Sequence, residues 1–103
     1  MSGDFRGVTG VDRVLHEPAR LAIAMILYMV ESADFLYLLR ETGLTKGNLS
    51  SHLARLESAG YIVVEKTFRG KVPLTICRLT ESGRAAFRAY RDHLKQVVRS
   101  MPE

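Results

Sequence analysis

A short polar segment in the middle of the chain carries residues that suit hydrogen bonding to nucleic-acid bases. If Leu49, Leu53 and Leu56 point into a core, the 100° step of an α-helix turns four neighbouring positions outward. Those four positions are Gly47, Asn48, Ser51 and Arg55. Arginine can bind guanine through two hydrogen bonds, asparagine can bind adenine in the same way, and glycine lets the backbone approach closely. The spacing predicts a helix face that reads base edges, although polar helix faces are also common where they contact only water.

Two further groups of residues suit phosphate. Thr45 and Lys46 stand at the start of the predicted helix, where unpaired backbone N–H groups and the helix dipole already favour an anion. Further along, Arg69-Gly70-Lys71 forms the tip of a predicted hairpin and can reach phosphates or a minor groove. Solubility would also explain a basic tip, so the prediction depends on the ordered combination of helices and hairpin.

The basic charge is concentrated in the middle of the chain. The 103 residues carry a formal net charge of +4. Residues 1–43 contribute −2, residues 44–79 contribute +4, and residues 80–103 contribute +2. Because local neutralisation of phosphate drives binding to nucleic acid, this distribution favours a polyanionic partner more strongly than the total charge does.

Composition and length restrict the class of protein. Hydrophobic residues make up 47% of the sequence and charged residues 25%, which is typical of one soluble globular domain of this length. Cys77 is the single cysteine and no secretory leader is recognisable, so we expect a reducing, cytoplasmic location. The longest apolar run, residues 21–30, is about half of the ~20 residues that a membrane span needs. It predicts a buried helix and no membrane association.

The elements that must position these residues follow from apolar periodicity and helix-capping residues. We predict a flexible lead-in over residues 1–10, then a short helical segment, then an apolar helix from Pro18 to about Glu31. Ser32 is predicted to cap the next helix, and Gly43 to end it. Two helices then follow one another through a very short turn.

The second half of the chain predicts a hairpin and a long helix. Thr45 suits the cap of the helix with the base-reading residues, and Gly60 suits the left-handed position just after it. Residues 61–67 and 74–79 are rich in β-branched and aromatic side chains, and Thr80 can cap the last helix. The predicted fold class is therefore α+β, mainly α: a winged helix-turn-helix with a two-stranded β-hairpin wing and a long C-terminal helix.

Several segments resemble the MarR/ArsR-like winged-helix regulators. Residues 44–62 look like their recognition helix and strand entry, a polar helix followed by Leu, Glu, Gly and a strand. Residues 79–84 resemble the Leu-Thr-x-x-Gly start of the following helix, and residues 16–23 are similar to the opening of small stand-alone members. The resemblance covers residues 11–98 and implies a dimeric, DNA-binding transcriptional regulator with its recognition helix in the major groove.

The resemblance also implies which residues contact DNA. The expected contacts on the helix and on the wing are Thr45, Lys46, Asn48, Ser51, His52, Arg55, Arg69, Gly70 and Lys71. Metal-sensing members carry clustered Cys and His ligands, whereas His16, His52 and His93 lie on different predicted elements. We therefore expect no metal and no cofactor, and we interpret Cys77 as a small buried hydrophobic residue.

The last predicted helix carries an apolar stripe at heptad-like spacing. The stripe could cover the core of its own domain, but a helix that extends well past a winged helix has little core left to cover. We predict a single domain over residues 11–103 in which this helix, joined by the first helix, pairs with a second copy. The expected interface residues are Val11, Val14, Leu15, Phe87, Tyr90, Leu94, Val97 and Met101. Two-fold symmetry then predicts inverted half-sites about 10 bp apart, or a small multiple.

The function that these observations favour is sequence-specific regulation of transcription on double-stranded DNA, by repression because no separate activating domain is evident. A non-specific architectural nucleic-acid binder and a winged-helix adaptor for protein partners are the alternatives. No catalytic spacing or Gly-rich phosphate loop is present, so we do not expect an enzyme. The sequence leaves open a small-molecule effector, for which five residues could line a cavity if they are not core: Met25, Tyr28, Met29, Phe35 and Tyr37.

Overall fold

The chain folds as a mainly helical α+β protein with a small antiparallel sheet and a long last helix, which confirms the predicted fold class. The computed structural model describes residues 5–103. Within that range the elements follow one another as α1 (Phe5–Thr9), α2 (Pro18–Met29), β1 (Ala33–Asp34), α3 (Phe35–Thr42), α4 (Lys46–Ser58), β2 (Ile62–Arg69), β3 (Val72–Leu79) and α5 (Glu81–Ser100).

Helix α2 lies at the centre of the core, as its apolar sequence predicts. Ile23, Ala24 and Leu27 are fully buried, and the helix contacts α3, α4, β3 and α5. Pro18 occupies its first turn, where a proline costs no hydrogen bond. A helix that is covered on several sides can be apolar around most of its circumference.

Helices α3 and α4 form the helix-turn-helix. Gly43 ends α3 with φ +70°, a left-handed conformation that glycine adopts without a steric penalty. Thr45 then caps α4, since its Oγ1 accepts a hydrogen bond from the Asn48 N–H at 3.2 Å. The predicted short turn and the predicted cap are both confirmed.

Strands β2 and β3 pair along their full length to form the wing. The ladder runs from Ile62 opposite Leu79 to Arg69 opposite Val72, which leaves only Gly70 and Lys71 in the turn. The predicted strands, residues 61–67 and 74–79, imply a longer connection over residues 68–73, and that prediction was wrong because cross-strand pairing continues to Arg69 and Val72. Gly70 has φ +63°, which suits the first central position of a two-residue hairpin turn.

A third strand, β1, was not predicted. It contains two residues and pairs with β3, with Ala33 opposite Cys77. Strand β3 is therefore central in the order β1-β3-β2, and Cys77 is fully buried there, as predicted. Burial raises the pKa of the Cys77 thiol to about 11. Asp34, rather than the predicted Ser32, caps α3 by accepting a hydrogen bond from the Tyr37 N–H at 2.8 Å, because the strand carries the chain two residues further before the helix begins.

The segment before Pro18 consists of turns, and the short helix predicted there is absent. Asp12 Oδ1 accepts hydrogen bonds from the N–H groups of Val14 and Leu15, at 2.9 and 3.1 Å. This capping starts one helical turn, in which the His16 N–H donates to the Asp12 carbonyl at 2.8 Å. The turn does not continue, because Pro18 has no N–H to donate to the Val14 carbonyl, which accepts from Arg20 Nε instead. The turn buries Leu15 in the core.

Helix α1 lies within the predicted flexible lead-in. Residues 5–9 are helical and contact α5, where His93 Nε2 donates a hydrogen bond to the Gly7 carbonyl. This contact joins residues 86 positions apart, so apolar periodicity could not have indicated it. The rest of that prediction, for residues 1–4, lies outside the described residues.

The first turn of α5 packs closely against the start of β2. Thr80 caps the helix as predicted, because its Oγ1 accepts a hydrogen bond from the Gly83 N–H at 2.9 Å. The Thr80 N–H donates to the Tyr61 carbonyl at 3.0 Å. A Cβ atom at Gly83 would lie only 2.0 Å from that same carbonyl oxygen, so only glycine fits at this position.

We expect Gly83→Ala to lower the free energy of unfolding by about 1–3 kcal/mol, because the added methyl group must push α5 away from β2. Gly47→Ala is the matched control, since a Cβ there would meet nothing within 4 Å beyond its own turn of helix, and it should raise stability by about 0.5–1 kcal/mol. Urea unfolding followed by circular dichroism measures both. Equal stability of Gly83→Ala and the native protein would contradict the close packing.

Candidate nucleic-acid interface

Helix α4 presents a polar face to solvent, as its spacing predicts. Leu49, Leu53 and Leu56 are buried against the core and fix the rotation of the helix. The four residues predicted to point outward are all exposed: Gly47, Asn48, Ser51 and Arg55. The structure therefore brings a guanidinium, an amide and a hydroxyl together on one accessible surface, where each can meet the edge of a base.

The start of α4 is also accessible. Thr45 and Lys46 are both exposed, next to backbone N–H groups that have no partner within the helix. The Thr45 hydroxyl accepts the capping hydrogen bond, which leaves its own hydrogen free to donate. Together with the Lys46 ammonium group and the positive end of the helix dipole, this arrangement suits a phosphate.

His52 does not join the exposed face. Only 21% of its side chain is exposed, and its Nδ1 accepts a hydrogen bond from Arg20 Nη1 at 3.1 Å. The same nitrogen lies 3.9 Å from the Glu17 carboxylate, while Arg20 Nε donates to the Val14 carbonyl at 2.6 Å. This cluster joins α4 to the start of α2, so His52 is placed to hold the exposed helix in position. Its predicted contact with DNA stays a prediction.

The wing tip carries exposed basic residues and exposed apolar residues. The basic tip predicted from the sequence, Arg69-Gly70-Lys71, is accessible on all three residues. Phe68 and Val72 flank it and are 67% and 64% exposed. Neither residue belongs to the predicted site. A large apolar residue two positions from the glycine of a basic turn is the signal that could have indicated each of them.

A groove of about 310 Å³ separates α4 from the wing. Its lining comes from α3, α4, β2 and β3: Phe35, Ser50, Leu53, Ala54, Glu57, Val64, Lys66 and Thr75. Lys66 adds a cation on the wing side that the predicted set of contacts did not contain. The groove shows that the wing stands beside the exposed helix, so both elements can contact one extended partner.

The residues predicted for a dimer interface separate into two groups. Leu15 and Tyr90 are buried within the chain, and the Tyr90 hydroxyl is 2.8 Å from His16 Nδ1. They serve the core and have almost no surface left for a partner. Met101 is exposed, and the other predicted residues keep part of their surface accessible: Val11, Val14, Phe87, Leu94 and Val97.

Two grooves lie along α5. One, between α1 and α5, is lined by Phe5, Val8, Val97 and Met101 together with polar residues. The other, about 670 Å³, lies between α2 and α5 and is lined by apolar residues and three cations: Leu21, Met25, Phe87, Tyr90, Leu94, Val98, Arg91, Lys95 and Arg99. Of the residues that the sequence suggested for an effector cavity, only Met25 lines this second groove. Tyr28 instead stacks on Phe87, with ring centroids 4.7 Å apart.

No three His, Cys, Asp or Glu side chains of residues 5–103 come together in a way that could hold a metal ion. None of the described helices combines the length and apolar character needed to cross a bilayer.

The chain is similar to known proteins in sequence and in fold. Residues 19–98 match the family described as the winged helix DNA-binding domain. An uncharacterized protein of Methanocaldococcus jannaschii is 33% identical over 90 residues, which are 86% of this chain and 97% of that protein.

Two solved structures extend the comparison. The transcriptional regulator homologue of Pyrococcus horikoshii superposes with a TM-score of 0.84 and 27% identity, over 90% of this chain and 94% of that chain. The BpsR protein of Bordetella bronchiseptica, whose DNA binding is regulated by 6-hydroxynicotinic acid, superposes with a TM-score of 0.69. At 15% identity, over 90% of this chain and 65% of that chain, this second likeness concerns the fold alone.

Through Glu17, the stability of the cluster that joins α4 to the start of α2 depends on pH. Its carboxylate accepts a hydrogen bond from the Arg20 N–H, and this bond, with the nearby cations, lowers the pKa of Glu17. A carboxylate with a lowered folded-state pKa stabilises the fold at neutral pH, and this contribution is lost as the pH falls through that pKa. We expect Glu17→Gln to lower the free energy of unfolding by about 0.5–1 kcal/mol at neutral pH.

The difference between Glu17→Gln and the native protein should shrink as the pH falls below the ordinary glutamate pKa of about 4.3. Urea unfolding at several pH values measures it. Glu41→Gln is the control, because its ion pair with Arg40 is exposed and should contribute less than about 0.5 kcal/mol. A constant difference at every pH would show that the Glu17 charge plays no part.

Proposed function

The chain belongs to the winged helix DNA-binding domain family, and from this premise we propose that it is a sequence-specific transcriptional repressor that binds DNA as a dimer. Its fold and family are those of DNA-binding transcriptional regulators, which are not enzymes. The observation that carries the proposal is the exposed polar face of α4, with the basic wing standing beside it.

In the proposed complex, α4 enters the major groove. Arg55 then binds guanine through two hydrogen bonds, Asn48 binds adenine, and Ser51 meets a neighbouring base edge. Thr45 and Lys46 hold a phosphate at the start of the helix. Gly47 has no side chain, so the backbone of α4 can approach the wall of the groove at that position without a steric clash.

The wing supplies the second half of the contact. Arg69 and Lys71, on either side of Gly70, reach the adjacent minor groove and its phosphates. Lys66 contributes a further cation nearer to α4. The remaining basic residue of the hairpin, Arg78, is paired with Glu65, so it contributes less to the attraction.

The exposed apolar surface of α1 and α5 supports pairing with a second copy. Phe5, Val8 and Met101 are exposed large hydrophobic residues, and Val97 lies between them in one groove. We propose that this groove forms the centre of a two-fold interface, with Val97 and Met101 retained from the predicted set. An isologous pair of this kind presents two copies of α4 to an inverted repeat with half-sites about 10 bp apart, or a small multiple.

Repression follows from occupancy. A dimer that covers two successive major grooves and the minor groove beside each of them excludes other proteins from the same stretch of a promoter. This mode of regulation needs no further catalytic or activating group.

Selection from a random duplex library at near-physiological salt tests base reading, with Arg55→Ala examined in parallel. We expect an inverted repeat to be enriched, and Arg55→Ala to weaken binding to it by about 1–3 kcal/mol and to relax the preference at one position per half-site. Lys71→Ala should instead weaken all sequences alike and reduce the salt slope by about 1.

Arg99→Ala removes the same charge from the last turn of α5 and should leave the preference unchanged. Binding without any enriched sequence, lost steeply as salt increases, would replace the proposal with a non-specific architectural role. The absence of duplex binding would leave the adaptor for protein partners as the function to pursue.

Light scattering with size-exclusion chromatography tests the dimer. The mass measured for the native protein should be twice the 11.6 kDa of one chain. Met101→Glu should dissociate the dimer to the monomer, because the carboxylate would be buried in the interface without a partner. Met29→Glu is a matched control, since Met29 is at least as accessible as Met101 but lies on α2, outside that groove. A native protein of monomer mass would exclude this arrangement.

A further inference from the structure

The wing exposes an aromatic side chain that none of the proposed contacts uses. Phe68 is 67% exposed, although it lies in a regular strand with a paired residue, Pro73, opposite it. A single exposed apolar residue is common on protein surfaces and would need no explanation by itself. Phe68 differs from such a residue in two ways: it lies on one particular face of the wing, and basic residues lie near it along the chain.

Phe68 lies on the face of the wing that is turned toward α4. Side chains alternate along a strand, so Ile62, Val64, Lys66 and Phe68 share one face of β2. Ile62 is buried in the core, and Val64 and Lys66 line the groove against α4. Beyond Lys66 the wing extends past α4, and Phe68 continues this same face into solvent.

This face is where a DNA strand must pass if α4 lies in the major groove and the wing tip in the adjacent minor groove. The strand that separates the two grooves then runs between the helix and the wing. Its phosphates point outward, while the deoxyribose rings form the apolar wall of the minor groove. A side chain near the tip and turned toward α4 therefore meets sugar, and not the edge of a base.

We propose that Phe68 packs against the deoxyribose rings of the strand that passes between α4 and the wing, a role that rests on the proposed function. The charge around it fits this position. Lys66 precedes it on the same face, and Lys71 follows it in the turn at the tip, so a cation that suits phosphate stands before and after Phe68 along the wing. The wing thus matches the alternation of sugar and phosphate along one strand.

An apolar contact with sugar makes a distinct thermodynamic prediction. Loss of a cation that neutralises one phosphate lowers the salt dependence of binding, because fewer counterions are released. Loss of an aromatic ring that packs on sugar lowers affinity by the same factor at every salt concentration. Burial of about half of the exposed ring surface corresponds to roughly tenfold in affinity.

Fluorescence anisotropy with the selected duplex, measured over a series of salt concentrations, tests the proposal. We expect Phe68→Ala to weaken binding about tenfold with an unchanged slope of log K against log salt, and Phe68→Leu to recover part of the loss. Lys71→Ala is expected to lower the slope by about 1. Met29→Ala, which removes an exposed apolar side chain from α2, should leave both quantities unchanged.

The outcomes separate this inference from the function on which it rests. If Phe68→Ala binds as tightly as the native protein while Arg55→Ala and Lys71→Ala still weaken binding, Phe68 makes no contact and the proposed function stands. A lowered salt slope for Phe68→Ala would also overturn the inference, since the ring would then act through the neighbouring cations. If the native protein binds no duplex, the proposed function fails and the inference fails with it.

Discussion

The junction at Gly60 and Tyr61 holds the rest of the structure in place. The Tyr61 N–H donates to the last turn of α4 at Leu56, its carbonyl accepts from Thr80 at the start of α5, and its hydroxyl donates to Asp12 Oδ2 at 2.6 Å. The Thr80 hydroxyl also donates to the Gly60 carbonyl. One short segment therefore fixes the end of the exposed helix, both ends of the wing and the N-terminal turn. The hydrogen bond to Asp12, with burial, raises the pKa of Tyr61 to about 12.

This junction matters for function because a surface that reads DNA must hold two elements at a fixed separation. The buried leucines of α4 fix the rotation of the helix about its axis. The hydrogen-bonded cluster around Arg20 holds the middle of α4 against α2. The junction at Gly60 and Tyr61 fixes the direction in which the wing leaves the end of α4. All the buried residues among those described are apolar or glycine, and the polar residues lie outside. The apolar core thus makes the fold rigid. Recognition depends on exposed polar side chains, which water solvates and which therefore need no partner within the protein.

The accuracy of the sequence predictions depended on how local each feature was. Thr45, Gly60 and Thr80 were identified correctly, because a helix cap and a left-handed turn involve residues only a few positions apart. The predicted helix before Pro18 was wrong because the turn that Asp12 caps cannot continue: Pro18 has no N–H, and the Val14 carbonyl accepts from the Arg20 side chain, a contact that apolar periodicity does not show. Strand β1 was missed because two residues carry no periodic signal and its partner strand lies more than forty positions away.

The sequence by itself determined the order of elements, the apolar stripe that α4 buries and the polar residues that it exposes, and these carried the resemblance to winged-helix regulators. The tertiary structure alone decided which side chains near that surface face outward. It turned His52 toward Arg20, buried Tyr90 in the core and left Phe68 exposed on the side of the wing that faces α4. The physical reason is that periodicity gives the direction of a side chain relative to its own helix or strand, whereas its burial depends on which other element packs there.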